Sequence, residues 1–94
     1  MWSRIAGSRS AEPLALVLFT RSSCPLCDEM KAEIARAGLG GRIVVREVDV
    51  DSDRSLSERY GRSVPVLEIG GRPAFKGRLS AEELRRKVER ASRA

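Results

Sequence analysis

The sequence predicts an α/β fold of order βαβαββα, a four-stranded mixed sheet flanked by three helices. Three observations predict it. Short apolar runs at 14–19, 42–50 and 64–69 have the length and aliphatic content of strands. Between the first two runs, Met30, Ile34 and Ala37 recur at helical spacing. A Gly70-Gly71 pair then turns the chain back into a fourth strand, since glycine accepts positive φ at both turn positions.

The elements follow in order. Leu14 to Phe19 is continuously apolar, so both faces of this strand are expected to be covered, as in a central or parallel strand. Thr20 to Ser23 is a polar loop. Pro25 falls in the first turn of a helix, where its missing N–H would be unpaired anyway. Asp28 and Glu29 suit the positive end of that helix, and the Gly38 to Gly41 region stops it. Arg42 to Val50 is the second strand, far enough along for a right-handed βαβ unit. Asp51, Ser52 and Asp53 are alternative caps for a short helix ending near Tyr60 and Gly61. Val64 to Ile69 is the third strand and Arg72 to Lys76 the fourth. Pro73 cannot donate to a ladder, so the fourth strand is expected at a sheet edge. Ser80 and Glu83 form a capping box for the last helix, with Leu79 stapled onto Leu84. Leu84, Val88 and Ala91 share its inner face. Helices are expected on both faces of the sheet.

A chain of 94 residues suggests one domain. The expected division is a flexible N-terminal tail, 1–12, and a folded domain, 13–94. Apolar residues are 41% and aromatics only 4%, so the core must be aliphatic. The formal charge is +5, but acids interrupt the scattered basic residues. Without a basic stripe or interleaved aromatics, no nucleic-acid partner is expected. No run approaches the ~20 apolar residues of a membrane span. The first ten residues carry arginine and serine but no acid, as a crude organellar leader would. They are short for one and are read as a tail. Two cysteines are too few for a secreted disulfide scaffold, and a monomer in a reducing cytoplasm is expected.

Those two cysteines, Cys24 and Cys27, stand where the first strand gives way to the helix. They are a reactive dithiol, half of a metal site, or a coincidence. Residues three apart lie on one side of a helix, within reach of a disulfide. Cys24 would sit in the open first turn, where unpaired N–H groups and the helix dipole stabilise a thiolate. Arg21 adds a cation nearby and Asp28 opposes the effect. Cys27 would face inward with Met30 and Ile34. Cys24 can then attack a substrate disulfide and Cys27 can resolve the mixed disulfide. Structural zinc needs about four ligands, and the chain has no histidine. A metal or iron-sulfur site would therefore need borrowed carboxylates or a dimer that shares thiols. The missing histidine also removes the usual base of cysteine hydrolases. Gly38-Leu39-Gly40-Gly41 runs into a strand, so it is a turn and not a phosphate cradle. Pro65 either opens an edge strand or forms a cis Val64-Pro65 bond beside the cysteine loop. In the second case the Val64 N–H and C=O are free to pair with an extended substrate.

Taken together, Cys24-Pro25-Leu26-Cys27, Ser63-Val64-Pro65 and Ile69-Gly70-Gly71 resemble the glutaredoxins of the thioredoxin-fold superfamily, over roughly Leu14 to Arg90. The resemblance implies a thioredoxin-like fold, with Cys24 as nucleophile and Cys27 as resolving thiol. It puts Arg21 at the position of a lysine that helps hold a glutathione carboxylate and lower the thiol pKa. It makes Pro65 cis, with Val64 pairing to the glutathione backbone and Ser63 beside it. Pro25 and Leu26 line the site, and Leu26 replaces the family's usual aromatic. In the stretch Lys76-Gly77-Arg78-Leu79-Ser80 only Gly77 matches a second Gly-Gly of the family. Arg78, Ser80 and the first N–H groups of the last helix can still hold a carboxylate.

The implied activity is thiol–disulfide exchange on protein or glutathione mixed disulfides. Glutathione would be the co-substrate, with no tightly bound cofactor and no metal. One alternative is a thioredoxin-like reductase recharged by a flavin-dependent reductase. The other is the thiol-sharing dimer carrying a metal or cluster.

Overall fold

β1 (Leu14–Thr20) leads through α1 (Pro25–Arg36) to β2 (Ile43–Asp49), and α2 (Arg54–Tyr60) leads to β3 (Val66–Ile69). β4 (Arg72–Lys76) and α3 (Ala81–Arg93) complete the chain. The structure, a computed structural model, describes residues 12–93; the expected tail, 1–12, lies outside them except for Glu12. The strand order is β2-β1-β3-β4. β1 pairs parallel with β2, and β3 is antiparallel to both β1 and β4. This is the mixed four-stranded sheet with three helices that the sequence predicts.

Alternation along the strands divides the core between the two sheet faces. Leu16 and Leu18 of β1 and Leu67 of β3 meet Met30 and Ile34 of α1 and Leu84 and Val88 of α3. Phe19, Val66, Val50 and Tyr60 form the cluster on the other face. There the rings of Phe19 and Tyr60 lie 4.7 Å apart. The expectation that both faces of β1 are covered holds only in part: Ala15 is exposed and Val17 half-buried. A seven-residue helix is about 10 Å long, whereas a seven-residue strand runs about 23 Å. α2 therefore covers only the end of β1 nearest the cysteines.

Local chemistry sets the element ends. α1 stops where Gly38 takes φ +63°, and Arg42 belongs to a short 3-10 turn, so β2 begins at Ile43. Among the three candidate caps for α2, Asp53 is used. Its carboxylate accepts the Ser55 and Leu56 N–H groups. β3 is shorter than expected and begins at Val66. Pro65 has no N–H, and its carbonyl accepts the Gly77 N–H at 2.8 Å. Gly70 and Gly71 both take positive φ in the hairpin. β4 is an edge strand, and the register shifts where Pro73 faces Glu68, leaving Ala74 as the extra residue of a bulge. At α3 the reciprocal cap is complete. Ser80 Oγ accepts the Glu83 N–H at 3.1 Å, and the Glu83 carboxylate accepts the Ser80 N–H at 2.9 Å.

Leu84, with no exposed surface, joins α3 to the main core. Leu84→Ala is expected to cost about 2–5 kcal/mol of stability. The check is urea denaturation, with a lower midpoint at an unchanged slope.

Candidate active site

Cys24 is itself the N-cap of α1. Its backbone is extended (φ −119°, ψ 98°), and its Sγ accepts the Cys27 N–H at 3.1 Å. A sulfur thus takes the place of the usual hydroxyl or carboxylate on an orphan helix donor. Pro25 fills the first helical position. The Cys24 carbonyl accepts the Asp28 N–H at 3.2 Å, which closes the first turn. Cys24 and Cys27 are joined by a disulfide, with Cα atoms 5.2 Å apart. The two sulfurs differ in setting: Cys27 is 2% exposed in the α1 interface, while Cys24 and Leu26 are half-buried at the surface. Ser23, just before the pair, takes φ +55°, a left-handed backbone that few non-glycine residues adopt.

The register of the sheet puts the end of β1 beside the start of β3, since Phe19 pairs with Val66. The cysteine loop and the Ser63-Val64-Pro65 segment therefore leave the sheet at the same end. The Val64-Pro65 bond is cis. Among the described residues, no backbone hydrogen bond engages the Val64 N–H or C=O. Ser63 donates its N–H to the Tyr60 carbonyl at 2.8 Å and is half-buried. Gly77, bonded to the Pro65 carbonyl, brings in the segment that leads to α3.

Of the expected anion-binding groups, Arg21, Arg78 and the Ser80 and Ala81 N–H groups at the start of α3 each already hold a carboxylate of the chain. Arg21 makes a bidentate pair with Asp51, at 2.9 and 3.1 Å, and its third contact is the Gly61 carbonyl at 2.7 Å. The hydrogen bond from Arg21, joined by its charge, holds the Asp51 carboxyl below its ordinary pKa against a partial desolvation. Arg78 pairs with Glu29 of α1 at 3.1 Å. At the start of α3 the Ala81 N–H is taken by Glu33 of α1 at 2.8 Å. A groove of about 380 Å³ runs between α1 and the 77–80 segment, lined by Glu29, Glu33, Gly77, Arg78 and Ser80 among others. No group of three or more His, Cys, Asp or Glu is placed to hold a metal among the described residues.

The family described as Glutaredoxin-like domain (DUF836) matches residues 15–89. The chain belongs to this glutaredoxin-like family. Among curated relatives, Glutaredoxin-C15 of Oryza sativa subsp. japonica is 36% identical over 61 residues. That match takes in 58% of the present chain and spans 57% of the rice protein's length. Among solved structures, XcR50 from X. campestris is 33% identical with TM-score 0.68, covering 80% of the present chain and 96% of its own. Chloroplastic thioredoxin z superposes with TM-score 0.73 over 99% of the chain and 91% of its own; at 18% identity this likeness concerns the fold. The present glutaredoxin-like chain thus has a thioredoxin fold and a disulfide-forming Cys24–Cys27 pair.

Four residues of the site were invisible to motif reading: Asp51, Gly61, Glu29 and Glu33. Gly61 is buried and takes ordinary helical angles, so its identity is demanded by space and not by φ. A Cβ there would run into the Ser57 carbonyl, at the same point where the Gly61 carbonyl receives Arg21. The acids pair with groups 30 to 49 residues away, so no short-range signal marks them.

The Arg21–Asp51 pair has a defined pH signature. A carboxyl whose folded pKa is lowered adds stability that is present above its unfolded pKa and lost as pH falls through the folded value. Asp51→Asn should therefore lower the urea midpoint most above about pH 5. The difference from wild type should shrink below about pH 4, toward the lowered value. A difference that grows on acidification would reverse the sign.

Proposed function

We propose that this glutaredoxin-like chain is a thiol–disulfide oxidoreductase that reduces disulfides through Cys24 and Cys27. The observation that supports it is the asymmetric pair at the start of α1. One sulfur is at the surface and accepts a helix N–H; the other is buried one turn inward. In the reduced protein the same N–H and the helix end favour a Cys24 thiolate.

The reaction proceeds in two exchanges. The Cys24 thiolate attacks one sulfur of a substrate disulfide, forms a mixed disulfide and expels the other substrate sulfur as a thiolate. Cys27 loses its proton, attacks Cys24 Sγ, and expels the second substrate thiolate as the Cys24–Cys27 disulfide forms. The substrate gains the electron pair that the dithiol gives up. The free Val64 N–H and C=O, beside the cis Pro65, are suited to pair with an extended substrate backbone, as in strand addition. Pro25 and Leu26 complete the wall next to the reacting sulfur.

A reductant must return two electrons to the disulfide. Family membership and the rice glutaredoxin relative support glutathione in that role. A second reading, a dithiol reductant such as one recharged by a flavoenzyme, is favoured by the carboxylates already bonded to Arg21, Arg78 and α3. The chemistry suits a monomer in a reducing compartment such as the cytoplasm. Cys24→Ser should abolish reduction of a disulfide-bonded protein by the pre-reduced chain. Cys27→Ser should instead accumulate a covalent adduct through Cys24, seen by intact-mass measurement. Full activity in Cys24→Ser would overturn the assignment.

A further inference from the structure

We propose that Asp51, Glu29 and Glu33 are specificity residues: they occupy from within the chain the anion-holding positions around the thiol pair, so that the site takes a disulfide-bearing protein segment over glutathione. The inference rests on the oxidoreductase reading above and deepens it by naming the class of substrate.

Glutathione presents two carboxylates and one ammonium group. A site that prefers it to a neutral thiol must offer donors to those carboxylates, and the preference comes from leaving those donors unpaired when glutathione is absent. In this chain the Arg21 and Arg78 guanidiniums and two N–H groups at the start of α3 already hold a carboxylate. Arg21 spends three of its N–H groups on Asp51 and the Gly61 carbonyl, in a fork that matches one carboxylate. A second carboxylate at that guanidinium would have to displace Asp51 or share its charge.

On the other side of the groove, Arg78 is bonded to Glu29. The start of α3 is fuller still: Glu33 takes the Ala81 N–H, Glu83 takes the Ser80 N–H, and Ser80 Oγ takes the Glu83 N–H. Glu33 is the more protected of the two groove acids, with a side chain 27% exposed against 58% for Glu29. An incoming carboxylate at this end competes with two acids of α1 for Arg78 and the Ala81 N–H. Arg62, exposed beside Ser63, is a single guanidinium and can meet one carboxylate.

Besides Arg62, the contacts that remain open are main-chain groups, an apolar side chain and the reacting sulfur. They are the Val64 backbone groups, the half-buried Leu26 and the Cys24 sulfur. Such a surface recognises an extended main chain and an apolar neighbour, which protein disulfides supply.

The test compares two mixed disulfides of one cysteine-containing peptide, capped with glutathione or with the neutral thiol 2-mercaptoethanol. The pre-reduced full chain is mixed with each in excess, and the second-order rate of 24–27 disulfide formation is read by acid quench and mass. Wild type is expected to reduce both adducts, with rates within about threefold of each other, or about 0.7 kcal/mol. Glu29→Ala, and Glu29→Ala with Glu33→Ala, should raise the ratio of glutathione to neutral adduct by about tenfold. If the double variant fails to fold, Glu33→Gln keeps an acceptor for the Ala81 N–H while removing the charge, and the same ratio must rise. A wild-type preference for glutathione of about tenfold or more, or a ratio unmoved in every soluble variant, overturns the inference while leaving the oxidoreductase reading intact. Failure to reduce either adduct overturns both.

Discussion

The first N–H groups of a helix have no partner inside it, and at α1 one of them finds a sulfur. The Cys27 N–H points at Cys24 Sγ because Cys24 is the residue on which the helix opens, and Pro25 fixes the first turn behind it. The geometry has two consequences. It sets the outer sulfur in the positive end of the helix, and it sets the inner sulfur one turn along, against the sheet. The rest of the fold serves to keep that helix end in place. Met30 and Ile34 anchor α1 to β1 and β3 through Leu16, Leu18 and Leu67. The parallel pairing of β1 and β2 gives the loop before Cys24 a rigid origin.

Around that helix end the structure forms a chain of polar ties between segments distant in sequence. Arg21 links the cysteine loop to the turn after β2 and to the end of α2. Pro65 and Gly77 link β3 to the approach to α3, and Glu29 and Glu33 return to α1. Most members of this ring are exposed pairs that add little to stability individually. Their larger effect is on local potential. A guanidinium already paired to a carboxylate offers much less to an incoming anion than a free one. The chain carries a formal charge of +5, yet at this site its basic groups are largely neutralised by the chain's own acids.

What was legible in the sequence is what depends on neighbours along the chain. The Ser80–Glu83 box, the Gly70-Gly71 hairpin and the opening of α1 at Cys24-Pro25 are short-range devices, and each stands where its residues are. The choice of Asp53 over Asp51 as the α2 cap was not legible. Asp51 falls in a 3-10 turn before the helix and pairs with Arg21, across the space between two loops. The open part of the β1 back face follows from the length of α2, a tertiary property that an apolar run in β1 does not encode. Gly61 reads as an ordinary helix stop; the reason it must lack a side chain is a carbonyl four residues earlier together with a guanidinium forty residues away. Glu29 looked like a dipole-matching acid of the first helix. It is also the partner of Arg78, a relation that only the folded chain contains.

The central claim is that the end of α1 stabilises negative charge on Cys24. The direct measurement is the pH dependence of Cys24 alkylation in Cys27→Ser, which removes the competing thiol but keeps the backbone N–H that faces the sulfur. The account predicts half-maximal reactivity clearly below the ~8.5 of a free cysteine. A midpoint at or above that value would contradict it.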